Sequence, residues 1–286
     1  MILSVCIALI HNNNATRNAY VRPEIDKLIN NLDQKISTYK IEIAYQPNLI
    51  SHNLQMALKR DFLYYAINLK WRDYRFLKKR FFLEPAYFAM KILQKYLVRY
   101  KTEAKRWMKN SFIEVVVTDK HIRAWIQFLE SGGDYLVVFE DDVVFKDDSS
   151  KRLNSLFNEL LVNHKQKKCY VDLAGGVEPA SLKVSALESF RNNQYRYYIK
   201  PVTNTACAYL MSKELVAVFV ATITSKPWLR LIGIDWMMNN LFVLNQDQMN
   251  KSICMHSDPT IFNHGSTTGE YMSWQSNKIT NQIKET

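Results

Sequence analysis

Three consecutive carboxylates, Glu140, Asp141 and Asp142, stand between two apolar runs, Tyr135–Phe139 and Val143–Phe145. Acids that crowd together beside buried segments repel one another and lose hydration. A divalent cation removes that cost, because hard cations prefer clustered carboxylate oxygens. The alternative is a turn with solvated acids. Turns usually carry Gly, Pro, Asn or Ser, and none lies between Tyr135 and Phe145, so the pattern favours a metal site. A second group comes late in the chain, in Phe262-Asn263-His264-Gly265-Ser266. A histidine there suits a third metal ligand or a pyrophosphate contact, with the N–H groups of Gly265 and Ser266 turned to an anion. The competing reading is an ordinary surface histidine.

The elements that must position these groups alternate between strand and helix. Ile2–Ile10 reads as a first strand, too short to span a bilayer. The polar loop His11–Asn14 follows it. Thr16 is a candidate N-cap, although Pro23 suggests that the regular helix begins nearer that residue and runs to about Leu32. Tyr39–Tyr45 alternates as a strand should. Phe112–Val117 reads as a strand, Thr118 or Asp119 as the cap of a helix over His121–Leu129, and Gly132-Gly133 as its end. The strand with the acids is next, then a helix over Leu153–Val162 and a strand over Tyr170–Leu173. Strands at Tyr195–Pro201 and Ala206–Met211 precede a helix that Ser212 caps, and residues 234–243 read as helix. This order predicts an α/β layered fold. Loops at strand carboxyl ends line the ligand crevice in such sheets. His11–Asn14 is therefore a candidate nucleotide-contacting loop, with a plain solvent loop as the alternative, and Asp172 closes a strand before Gly175-Gly176.

The segment Lys120-His121-Ile-Arg-Ala-Trp125, followed by an apolar strand and Glu140-Asp141-Asp142-Val143, resembles glycosyltransferase family 25, enzymes of lipopolysaccharide and capsule synthesis. Two further segments fall in the family's order: Thr205-Ala-Cys-Ala-Tyr209-Leu-Met-Ser212 and Gly233-Ile-Asp235-Trp236. The family's Ser before the histidine is Lys120 here, and its amino-terminal pattern is degraded to Ile10-His-Asn-Asn-Asn-Ala-Thr-Arg17. The resemblance covers roughly residues 111–275 plus the first strand. It implies a GT-A-like nucleotide-binding mixed sheet flanked by helices, and transfer of a sugar, UDP-hexose being the expected donor, to a lipopolysaccharide, capsule or other surface glycan. It also implies Mn2+ or Mg2+, which would stabilise the charge that develops on a diphosphate leaving group. On this reading Asp142 is the principal metal ligand, with Glu140 and His264 beside it. Asn12, Arg17, Glu140, Asp141 and Thr205 face the nucleotide. An inverting reaction needs a carboxylate base: Asp235 is the candidate and Asp172 its competitor, while the cap of the helix at 234–243 is the structural alternative for Asp235. His121 is expected to orient its neighbours.

A hydrophobic fraction of 48% over 286 residues suits a folded globular chain. Cys6, Cys169, Cys207 and Cys254 form no CxxC pair and read as reduced, buried thiols rather than as a disulfide framework or zinc site. The charge is concentrated. Residues 51–110 hold 15 Lys and Arg against 4 acids, a net +11 that equals the net charge of the whole chain. The same segment holds 13 aromatics. We therefore divide the chain into 1–50, the first part of the GT-A-like domain; 51–110, a basic helical insertion; and 111–286, the remainder with the metal and acceptor sites. The insertion fits an anionic membrane surface or a charged glycolipid acceptor. Its alternatives are an ordinary helical pair with core aromatics, and nucleic acid bound through cations and stacking rings. A nucleic-acid-binding protein is the rival function and the less favoured one. The expected location is the cytoplasm, with peripheral contact at the inner face of the cell membrane.

Overall fold

The computed structural model describes residues 2–45, 102–163, 167–176, 188–198, 202–203, 206–249 and 252–269, and elements are numbered over these. Most of the basic segment lies outside the described residues, as does Thr205. An eight-stranded mixed sheet has the order β2-β1-β3-β8-β5-β9-β7-β6, with β2 (Ile36–Ala44) at one edge and β7 (Tyr195–Tyr198) and β6 (Glu188–Arg191) at the other. Its central strands are β1 (Leu3–His11), β3 (Tyr135–Glu140), β8 (Ala208–Ser212) and β5 (Cys169–Asp172). These strands are buried on both faces, so each alternates between two cores. Cys6, Ala8 and Ile10 face one core with Leu136, Val138, Tyr209 and Met211. Leu3, Val5, Ile7 and Leu9 face the other with Val137, Phe139 and Leu210. Helix α1 (Ala15–Asn30) and α3 (Ser149–Asn163) cover the second face through Val21, Ile25, Leu28, Leu153, Phe157 and Leu160. Helices α2 (Thr102–Ser131), α4 (Lys213–Ser225) and α5 (Ile234–Leu244) cover the first. The result is a three-layer α/β domain, a mixed sheet flanked by helices on both faces.

Strand direction explains where the chemistry collects. β1 runs parallel to β3, with Ile10 opposite Glu140. β8 is antiparallel to both β3 and β5, which makes β3 and β5 parallel to each other. β9 (Ile253–Ser257) is parallel to β5 and sets His256 opposite Asp172. The carboxyl ends of β1, β3, β5 and β9 and the start of β8 therefore share one edge. A short ribbon completes it: β10 (Phe262–His264) pairs with β4 (Val143–Phe145), with His264 opposite Val143. Phe262 packs edge to face on Phe139 and Phe145 at 4.9 and 5.2 Å, and Phe139 meets Phe145 at a tilt at 5.4 Å.

Two local expectations are corrected. Phe112–Val117 is not a strand but part of the single helix α2, so neither Thr118 nor Asp119 is a cap. Buried Val115, Thr118, Ile122, Trp125 and Phe128 keep helical spacing through the β-branched run, and burial overrides its strand propensity. Gly132, at φ +82°, ends that helix as expected. Helix α1 begins at Ala15, not near Pro23. Asn14 caps it by accepting the Arg17 N–H at 3.1 Å, and Pro23 lies inside. The backbone hydrogen bond that proline forfeits is offset by the packing of Val21, Ile25 and Leu28. Ser212 caps α4 through the Leu215 N–H, as expected. The strand at residues 188–191 had no clear alternation to announce it.

Candidate active site

The three acids diverge at the end of β3. Asp141 turns back to the protein: Oδ2 accepts the Asn12 N–H at 3.0 Å, and Oδ1 accepts Arg17 Nη1 at 3.0 Å. It holds the loop after β1 against the acid motif. Lys120, 1% exposed, braces the same loop by donating to His11 O at 3.2 Å and Asn12 Oδ1 at 2.5 Å. Burial pulls its ammonium below the usual lysine range, and Glu140 and Asp141 act in the opposite direction.

Glu140 turns toward α2. Its Oε1 lies 2.9 Å from His121 Nε2, while His121 Nδ1 lies 2.7 Å from the Tyr209 hydroxyl, which accepts Trp125 Nε1–H at 3.0 Å. Burial lowers the His121 pKa and Glu140 opposes this, so the ring is assigned neutral. A carboxylate only accepts, which places the His121 proton on Nε2 and leaves Nδ1 to accept from Tyr209 O–H. The relay then runs one way, from Trp125 through Tyr209 and His121 to Glu140. His121 was expected to orient neighbours within its own helix; its two ring contacts instead reach Glu140 and Tyr209 on neighbouring strands.

Asp142 faces the ribbon. Its Oδ2 accepts from Ser266 Oγ and from His264 Nε2 at 3.1 Å, and its Oδ1 accepts from the Cys207 thiol at 3.5 Å. Burial alone would raise the Asp142 pKa, but the His264 hydrogen bond and charge, with Ser266 and Arg17, hold it below the usual range. Burial likewise works to lower His264, and Asp142, Glu140 and Asp235 outweigh it, so the imidazole pKa is raised. The Gly265 N–H does not wait for an anion; it donates to Asp142 O at 2.9 Å.

Ligand atoms of Asp142, Cys207 and His264 all lie within 4.8 Å of one another. This trio departs from the sequence expectation, which named Glu140 as the companion ligand and treated Cys207 as an inert core thiol. Cys207 is indeed a reduced, buried thiol, as are the other three cysteines. Burial, then Asp142 and Glu140, push its thiol pKa up. Its place beside Asp142 follows from β8 starting where β3 ends, a pairing that the sequence does not display.

Two further acids border the trio. Asp235 is the second residue of α5, whose N-cap is Gly233, so the cap alternative is set aside. The residue keeps some accessible surface, yet its Oδ1 is buried without a hydrogen-bond partner. Burial first, then the charge of Glu140, lift this carboxyl from 3.8 to about 7, with His264 opposing. Asp172 is fully buried; Oδ1 accepts the Gly175 N–H at 2.7 Å and Oδ2 has no partner. Burial raises its pKa, with His256 opposing. A buried carboxylate, an imidazole and a thiol close together, bordered by two acids that burial holds toward their protonated forms, suit a divalent cation.

No protein-family model matches the chain, and no curated protein sequence matches it. Among solved structures, the apo form of mouse xyloside xylosyltransferase 1 aligns over 87% of this chain and 83% of its own, at 9% identity and a TM-score of 0.29. A likeness of that degree fixes neither fold nor activity.

Proposed function

We propose that the chain is a metal-dependent, inverting glycosyltransferase that moves a hexose from a UDP-sugar to a lipopolysaccharide, capsule or other surface glycan. One observation carries the reading: Asp142, Cys207 and His264 converge at the carboxyl edge of the sheet, and Asp235, whose Oδ1 has no hydrogen-bond partner, feels the charges of Asp142 and His264. Asp142 and His264 hold the cation, with Cys207 in its wall. A bound Mn2+ or Mg2+ supplies neutralisation of the diphosphate leaving group. Asn12 and Arg17, fixed by Asp141 and Lys120, face the nucleotide together with Thr205, and Glu140 is aimed by His121 toward the donor. Asp235 takes the proton of the attacking acceptor hydroxyl; held at about 7, it is both ionised in good part at neutral pH and basic enough to accept that proton. Asp172 is the weaker candidate base, because one oxygen is already bound by Gly175 and the residue is sealed from solvent. The basic segment 51–110 would dock a charged glycolipid at the inner face of the membrane. No described helix is long and apolar enough to cross one.

The test is release of UDP from a panel of UDP-hexoses with Mn2+ and a glycolipid acceptor. Wild type should turn over one donor. Asp142→Asn should be inactive with an unchanged far-UV circular dichroism spectrum, and full activity in that variant would overturn the metal role. Salt-sensitive binding of DNA or RNA, with no effect of Mn2+, would favour the nucleic-acid reading instead.

A further inference from the structure

Mg2+ and Mn2+ favour oxygen donors, and sulfur is a poor ligand for them. Yet the wall of this cation seat contains a thiol. Cys207 is 1% exposed, and its Sγ lies 3.5 Å from Asp142 Oδ1. Its backbone is fixed as well: the Glu140 N–H donates to Cys207 O at 2.8 Å, and the next residue, Ala208, stands opposite Phe139 in the sheet. The sulfur is therefore presented from a rigid strand edge rather than from a loop. One carboxylate oxygen, one imidazole nitrogen and one sulfur lie within 4.8 Å of one another, a mixed O, N, S donor set of the kind zinc takes with a fourth ligand from outside the protein.

We propose that Cys207 is the metal-selecting residue of this seat, so that it binds zinc-like ions, Zn2+ and Co2+, through a thiolate bond and ranks them above Mn2+ and Mg2+. The inference rests on the cation seat of the proposed function but not on the identity of the donor. As the sulfur–metal bond forms, the S–H bond breaks and its proton leaves to solvent; His264 likewise releases the Nε2 proton it shares with Asp142 before that nitrogen binds the ion, so two protons leave and no oxidant or reductant enters. Asp142 then exchanges its thiol hydrogen bond for a shared cation.

Co2+ alone, titrated into the metal-stripped full-length protein, reads the bond directly. Wild type should bind one Co2+ and develop a sulfur-to-cobalt charge-transfer band in the near ultraviolet, which excess Zn2+ abolishes. Cys207→Ser should lack the band and bind Co2+ and Zn2+ on the order of tenfold more weakly, while its Mn2+ affinity stays within about twofold of wild type. Binding of Co2+ without a sulfur band, persistence of the band in Cys207→Ser, or failure of wild type to bind Co2+ would each overturn the assignment. Nucleotide is absent from this experiment, so its failure is separate from failure of the UDP-sugar reading, which shows only in donor turnover.

Discussion

Replacing Asp235 with Asn should remove activity and stabilise the fold at the same time. The carboxyl sits in the first turn of α5 with Oδ1 buried and unpartnered, in the field of Glu140, Asp172 and Asp142. A value of about 7 instead of 3.8 corresponds to about 4 kcal/mol of preference for the neutral form. Water reaching the ionised group reduces this, so we take about 2–4 kcal/mol. The folded chain holds this proton more tightly than the unfolded chain does. Stability from the group is therefore fully present below about pH 3.8, declines as pH rises, and is lost above about pH 7. Asparagine is neutral throughout. In chelator at about pH 8, urea denaturation should find Asp235→Asn more stable than wild type by about 2–4 kcal/mol, and the gap should close toward about pH 4. Sugar transfer should be abolished at every pH. A variant destabilised equally across the range would refute the claim that a costly charge is held in place for chemistry.

Other consequences follow from the same geometry. The Asp142–His264 pair should stabilise the metal-free protein most between about pH 3.8 and 6.5. The carboxylate's share is lost as pH falls through its depressed pKa, and the imidazole's share is lost as pH rises through its raised one; the penalty of His264→Gln, measured by denaturation in chelator, should be largest in that window. Tyr209→Phe leaves buried Trp125 Nε1–H without its acceptor and His121 Nδ1 without its donor, so a loss of about 1–3 kcal/mol should appear as a lower urea midpoint at unchanged slope. Gly175 has φ +62°, and an added Cβ would meet Thr260 Cγ2 at 2.6 Å. Gly175→Ala should cost about 1–3 kcal/mol, and Thr260→Ser in the same chain should recover the steric part, as a double-mutant cycle would read.

The acid motif was legible because its chemistry lies within three consecutive residues flanked by apolar strands. His264 was legible as a histidine in a late turn, but its partner was not, since only the β4–β10 pairing sets it against Asp142. Cys207 and Lys120 were hidden for related reasons. A thiol in an apolar run looks like core, and a lysine in a helix looks like surface until the strand order turns both toward the crevice. The strand order itself, with β8 between β3 and β5, has no local signature. Phe112–Val117 misled because a β-branched cluster matches a strand over six residues, and only the longer spacing from Val115 to Phe128 shows the helix. Asp235 was marked by the family resemblance of Gly233-Ile-Asp235-Trp236, but its orphaned oxygen was not foreseeable from spacing.

Calorimetric titration of UDP into wild type and Asp142→Asn, with Mn2+ and again in chelator, tests the central claim most directly. The account predicts saturable UDP binding by wild type only when Mn2+ is present, and none by the variant in either condition. Equal UDP affinity in chelator, or undiminished Mn2+-dependent binding by Asp142→Asn, would contradict it.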